Sequence, residues 1–255
     1  MSRTTTPSTL ALDGRTALVT GATRGLGLAI ARKLCACGCD VVLNYGSSEA
    51  DAERALESLA GLKGTATAIR ADLRDQQAMP ELLKTVRQQF GRLDVLVHNA
   101  ATFSPMAGQS VDLGVLHQDL AISLEPLLSA AALLPELMGR QGRVVAVSST
   151  GAHRVVPGYV SLGVAKAALE SLVRYLAVEL AEHGIVVNAV STAKLDKGPG
   201  TVNARAAAVL AERTPGGRLT VPADVADVVA LLCADEAAWL RGQVVTADGG
   251  LSLRA

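Results

Sequence analysis

The chain has 255 residues, and its 24 basic and 24 acidic side chains cancel; 49% of its residues are apolar and only 2% aromatic. This balance argues against a general nucleic-acid surface, which needs a basic face, and against an aromatic platform for single strands. The apolar content excludes a disordered chain, and no run approaches the roughly 18 uninterrupted apolar residues of a membrane span.

Residues 1–12 hold no apolar run of signal-peptide length and read as a flexible tail, with residues 13–255 as one domain in a reducing cytoplasm. The first strand is expected at TALVT from Thr16, followed by a helix over LGLAIARKLCA and a second strand at DVVLN from Asp40. Cys35, Cys37 and Cys39 cluster where that helix gives way to the strand, and Cys233 stands alone. Their spacing does not match a zinc site, so they read as plain thiols and no metal is expected. Further strands are expected at TATAIRA, DVLVHNA, GRVVAVSS, IVVNAVS and GQVVTAD, separated by helical segments such as MPELLKTVRQQF. The most apolar stretch, Leu120 to Met138, is broken by Glu125, Pro126, Pro135 and Glu136. Short apolar strands alternating with amphipathic helices predict a parallel sheet covered on both faces. One segment breaks the alternation: residues 191–217 carry glycines and prolines around a short alanine-rich helix. It reads as a substrate loop over the carboxyl ends of the strands.

The first strand runs into TGATRGLG, Thr20 to Gly27, and then directly into a helix. Glycines at Gly21, Gly25 and Gly27 let the chain turn sharply and approach a pyrophosphate, which the helix N-terminus attracts. The candidate cofactor contacts of this loop are Gly21, Thr23, Arg24, Gly25, Leu26 and Gly27. The expected fold is therefore α/β, a doubly wound, seven-stranded parallel sheet of the Rossmann type in a single domain. The second strand ends in Asn44-Tyr45-Gly46-Ser47-Ser48, without the carboxylate that would bind a ribose 2′-hydroxyl. Arg24 could pair with a 2′-phosphate and Ser47 could add a hydroxyl, so NADPH is favoured over NADH. The plainer alternative for Arg24 is a solvated loop residue.

With these motifs the sequence resembles the short-chain dehydrogenase/reductase family from about Gly14 to Leu253. Asp72-Leu73 is similar to the family's adenine-binding position, and HNAA, His98 to Ala101, to its turn after the fourth strand. The resemblance implies that Asn99 supports the cofactor, Leu195 packs beside the nicotinamide and Ser149 orients substrate. The family's usual tyrosine lies four residues before the catalytic lysine, but here that position is Leu162. Tyr159 lies seven before Lys166, in GYVSLGVAK. That spacing, with the flanking SSTGAHRVVPGYVSLGVAKAALESLVRYLAVEL, resembles the enoyl-acyl-carrier-protein reductase III subfamily. Ser123 stands where the family has an asparagine, which puts part of the usual proton relay in question. Thr192-Ala193 replaces a familiar Pro-Gly pair.

The resemblance implies NADPH-dependent reduction of a 2-enoyl thioester in fatty-acid or polyketide-type biosynthesis. Tyr159 would bind the thioester oxygen, and Lys166 would hold the nicotinamide ribose and lower the Tyr159 pKa. Two alternatives stay open: a carbonyl reductase acting on a 3-oxoacyl thioester or a small ketone, and a non-catalytic NADP(H)-binding protein. A homotetramer is implied, and an acyl-carrier protein would meet a basic rim drawn from Arg140, Arg143, Arg154, Lys194 and Lys197. His98 could lie near the cofactor without a catalytic role and His153 could touch substrate; the dispersed histidines suggest no metal triad, and the sequence has no GxSxG nucleophile elbow.

Overall fold

The seven apolar runs become seven parallel strands, and the amphipathic segments between them become the covering helices. The computed structural model describes residue 10, residues 12–198 and residues 204–254. In chain order the elements are β1 (Thr16–Val19), α1 (Gly25–Ala36), β2 (Asp40–Tyr45), α2 (Glu49–Leu59) and β3 (Ala66–Arg70). There follow α3 (Ala78–Phe90), β4 (Val95–His98), α4 (Leu113–Ala131), α5 (Leu134–Met138) and β5 (Arg143–Ser149). The last are α6 (Val160–Glu179), β6 (Val186–Thr192), α7 (Ala204–Arg213), α8 (Pro222–Cys233) and β7 (Val244–Thr246). Of the expected tail only residues 10 and 12 are described, and residues 199–203 of the expected substrate loop lie outside the described residues.

The strands are ordered β3-β2-β1-β4-β5-β6-β7, all parallel. Strand side chains alternate between faces, so β1 sends Ala17 and Val19 to one core and Leu18 to the other. The first core packs α1 and α8 through Ile30, Leu34, Val225 and Val229 against Val41, Leu43, Val97 and Val145. The second packs α3, α4 and α6 through Leu82, Leu127, Leu169 and Val173 against Val42, Leu96, Val144 and Val187. The sheet is covered on both faces, as expected, and its inner strands are almost wholly buried. The edge strands β3 and β7 are only half-buried and end in the exposed Arg70 and Thr246, because each has a neighbour on one side alone. Among the described residues no single helix is long and apolar enough to cross a membrane.

Chain order runs outward in both directions from the β1–β4 pair. All carboxyl ends of the strands share one edge, and a crevice opens where the direction of winding reverses. At the opposite edge, Arg143 is buried and its guanidinium is taken up by the carbonyls of Gln141, Gly142 and Ala234 and by Asp235. Arg143 therefore drops out of the expected basic rim: it starts β5, at the far edge from the crevice.

All four cysteines are buried and unbridged. Burial pushes the Cys233 thiol up to about 12 and the Cys39 thiol higher still, so the reactive thiolate is suppressed. A thiol-disulfide reagent is expected to label none of the four in the native protein and all four in denaturant. Rapid native labelling of any would show that the α1–β2 junction opens locally.

Candidate active site

The cofactor loop is tied to the sheet by one hydroxyl. Thr20 Oγ, at the end of β1, accepts from the backbone N–H of Asn99 (3.0 Å) and of Ala100 (2.9 Å). Its proton is then directed to His98 Nδ1 at 3.3 Å, which assigns the ring proton to Nε2. Nε2 donates to Ser123 O at 3.1 Å and also faces Ile122 O. Pro126 supplies the reason: having no N–H, it leaves the carbonyl of Ile122, four residues earlier in α4, without its helical donor. His98 is completely buried, and burial, helped by the charge of Lys166, lowers its pKa to about 3. It is a neutral structural histidine.

Asn99 closes the turn by donating from Nδ2 to Thr20 O and Gly21 O (3.0 and 3.1 Å). Gly27 packs beneath it: a Cβ there would stand 2.1 Å from Gly21 O and 2.7 Å from Asn99 Nδ2. Gly21, Thr23, Arg24, Gly25, Leu26, Gly27 and Asn99 are thus brought together, with the start of α1 aimed into the crevice. A cradle this close, opening on a helix N-terminus, fits a dinucleotide pyrophosphate.

Two residues of this region were not selected from the sequence. Asn44 Oδ1 accepts from Gly21 N (3.4 Å) and its Nδ2 donates to Ala71 O (2.9 Å), joining the ends of β1, β2 and β3. Lys197, read as part of a docking rim, lies over Gly25, its stem 3.8 Å from where a Cβ would stand.

Farther out, Arg24 and Ser47 are exposed and Leu73 is buried. Asp72 beside Leu73 is held by the Arg74 guanidinium, which keeps its carboxyl below the usual range. A groove of about 320 Å³ opens there between β3 and α3. Leu195 is buried in the core and pairs through its backbone with Thr220.

The expected catalytic residues meet at the other end of the crevice. Tyr159 is the N-cap residue of α6 and lies outside its helical turns. Its hydroxyl donates to Ser149 Oγ at 3.3 Å, and Ser149 also accepts from Gly151 N. Leu162 is buried. The Tyr159 ring is boxed in: Phe103 lies 5.2 Å away between centroids, and a Cβ on Gly151 would stand 2.5 Å from Cε1. Buried Asp119 anchors the Phe103 loop by accepting from Thr102 and Ser104, and Ser161 donates to Ser104 O. Phe103 and Asp119 carry no local motif; their roles come from tertiary contact. A second groove, of about 350 Å³, flanks Tyr159 and is lined by Val155, Val156, Val160 and Val164 with His153 and Arg154.

One implication of the resemblance does not hold. Lys166 does not lower the Tyr159 pKa: burial raises it, and the hydrogen bond to Ser149 only partly offsets this. The Lys166 ammonium turns instead to Val147 O at 2.7 Å, and burial lowers its pKa to about 8 against the opposing charge of Glu170. Ser148, on the opposite face of β5 from Ser149, donates to buried Glu170 at 2.5 Å. Ser123 is also buried, and its Oγ has no hydrogen-bond partner in the structure.

Residues 21–252 match the family described as "Enoyl-(Acyl carrier protein) reductase". A solved short-chain dehydrogenase/reductase from Serratia marcescens superposes with a TM-score of 0.87 at 30% identity, covering 94% of this chain and 99% of that one. The chain belongs to the short-chain dehydrogenase/reductase family. It is an oxidoreductase of this family, whose members bind NAD(P)(H). It is 37% identical over 245 residues to a 1-cyclohexenylcarbonyl-CoA reductase of Streptomyces collinus, covering 93% of this chain and 87% of that protein. It also resembles the promiscuous reductase LugOII, which catalyses keto-reduction at C1 during lugdunomycin biosynthesis. That match has a TM-score of 0.88 at 30% identity over 95% of this chain and 99% of the other.

Gly151→Ala is expected to push the Tyr159 ring off Ser149 and lower kcat by about 100-fold with an unchanged circular dichroism spectrum. Ser123→Ala removes an unsatisfied hydroxyl and is expected to raise stability in urea unfolding by about 1 kcal/mol. A loss of stability instead would show that the hydroxyl has a partner.

Proposed function

We propose that the protein uses NADPH to reduce the carbon–carbon double bond of a 2-enoyl thioester. The observation that carries this reading is the position of Tyr159. The proton donor stands outside α6, seven residues before Lys166, while the position four before it is filled by buried Leu162. An enoyl thioester receives hydride at Cβ while negative charge gathers on the thioester oxygen farther along the conjugated chain. A donor set away from the lysine suits that separation. The bound nicotinamide supplies the hydride. Tyr159 donates a hydrogen bond to the developing enolate oxygen, an oxyanion-type role, and Ser149 keeps the hydroxyl in place. The proton for Cα comes from Tyr159 or from water. The valine-lined groove beside Tyr159 offers an apolar wall for the acyl group.

Gly21, Thr23, Gly25, Leu26, Gly27, Asn99 and Lys197 would hold the pyrophosphate side of the cofactor, and Lys166 the nicotinamide ribose beside Leu195. Asp72 and Leu73 would border the adenine, and Arg24 and Ser47 the 2′-phosphate, which favours NADPH. Exposed Arg154 and Lys194 would face an acyl-carrier protein or a coenzyme A head group, while Lys197 turns to the cofactor loop instead. Exposed apolar residues on one side of α6, Val164, Tyr175 and Val178, would meet further copies in a homotetramer. The named activity of the Streptomyces relative supports the enoyl reading and a place in fatty-acid or polyketide-type biosynthesis. Carbonyl reduction is the second reading: a hydroxyl pair such as Tyr159–Ser149 could equally polarise a ketone, and LugOII acts on one.

NADPH oxidation followed with a 2-enoyl thioester and a 3-oxoacyl thioester in parallel tests the choice. Turnover of the enoyl substrate alone is expected, falling about 100-fold or more in Tyr159→Phe. Turnover of the 3-oxoacyl substrate alone would overturn the proposal.

A further inference from the structure

Glu170 takes no part in the mechanism above, yet it is among the most completely buried carboxyl groups of the chain, its side chain 1% exposed. It lies one helical turn beyond Lys166 on α6, at the i,i+4 spacing that puts two side chains on one face. Ser148 of β5 donates to Oε1, and His153, in the turn after β5, meets Oε2. A buried carboxylate is retained only where donors and opposite charge compensate its lost hydration. Lys166 is itself buried, with Val147 O as its hydrogen-bond partner. A neutral carbonyl does not offset the desolvation of an ammonium.

We propose that Glu170 is a positioning residue whose fixed negative charge keeps Lys166 in the ammonium form that binds the cofactor ribose, with Ser148 and His153 holding the carboxylate in place. This rests on the reading that Lys166 contacts the ribose.

The groups around Lys166 define the balance. His98 on β4 is neutral and its neighbourhood disfavours positive charge. Asp119 on α4 is turned to Thr102 and Ser104. Tyr159, at the start of the helix, is held in its protonated form by burial. Glu170 is the group that opposes the effect of burial on Lys166. Without its charge, Lys166 gives up its proton at lower pH, and ribose binding fails there.

The test reads binding rather than turnover: NADPH affinity, from the change in cofactor fluorescence, measured from about pH 6 to about pH 10. In the wild type, affinity is expected to fall as pH rises through about 8, the pKa of Lys166. In Glu170→Gln this inflection moves to acid by about one pH unit, so near pH 9 NADPH binds roughly tenfold more weakly than to wild type. Glu170→Asp keeps the charge and is expected to keep an inflection near the wild-type one. Glu170→Met fills the space without charge and replaces the amide variant should that one not fold; its inflection is expected to shift as for Gln. A wild-type inflection that Gln or Met leaves in place overturns the proposal alone. A wild-type affinity with no inflection, or Lys166→Gln binding NADPH as tightly as wild type, overturns the ribose reading beneath it.

Discussion

The site hangs on a hydrogen-bonded knot across the gap between β1 and β4. These strands are neighbours in the sheet but lie far apart in sequence, and the connections leaving them wind in opposite directions. A crevice forms at such a point, and its floor is backbone whose polar groups need partners. Thr20 Oγ provides them by accepting from two consecutive N–H groups and passing its own proton to His98. His98 in turn faces Ser123 O and Ile122 O in α4, the second of which Pro126 leaves without its helical donor. The glycine loop, the turn after β4 and the long helix behind the site are therefore positioned by one chain of donors and acceptors.

A second group of contacts positions the proton donor. Tyr159 belongs to no strand and precedes the helical turns of α6, so its placement depends on what surrounds it. Phe103 and Gly151 confine the ring, Ser149 orients the hydroxyl, and Met106 pairs through its backbone with Gly158. Asp119 fixes the loop that carries Phe103. Two buried carboxylates, Asp119 and Glu170, thus anchor the two loops on either side of one tyrosine.

The strands were legible because apolar, β-branched runs recur at regular spacing, and the cofactor loop because close backbone approach demands glycine at Gly27. Ser149 was placed at the site by the family resemblance, and strand alternation turns Ser148 to the other face. Other features have no local signature. The role of His98 depends on a proline twenty-eight positions later in the chain. Arg143 looked like a surface charge until the fold put it at the buried start of β5. The direction of the Tyr159 shift could not be read from its spacing to Lys166, because it depends on whether burial or a neighbouring charge dominates. Burial does, since the ammonium is turned toward Val147.

The neutral His98 ring makes the cofactor loop part of a proton balance. In the folded protein the ring resists a proton down to about pH 3, whereas an unfolded chain takes one up near the ordinary histidine value of about 6.5. The stability it contributes is fully present above that ordinary value and drains away as pH falls toward the folded one. A proton on Nδ1 would face the Thr20 hydroxyl donor to donor and set β1 against β4. Acid therefore works against this molecule at the seam where a nucleotide would lie.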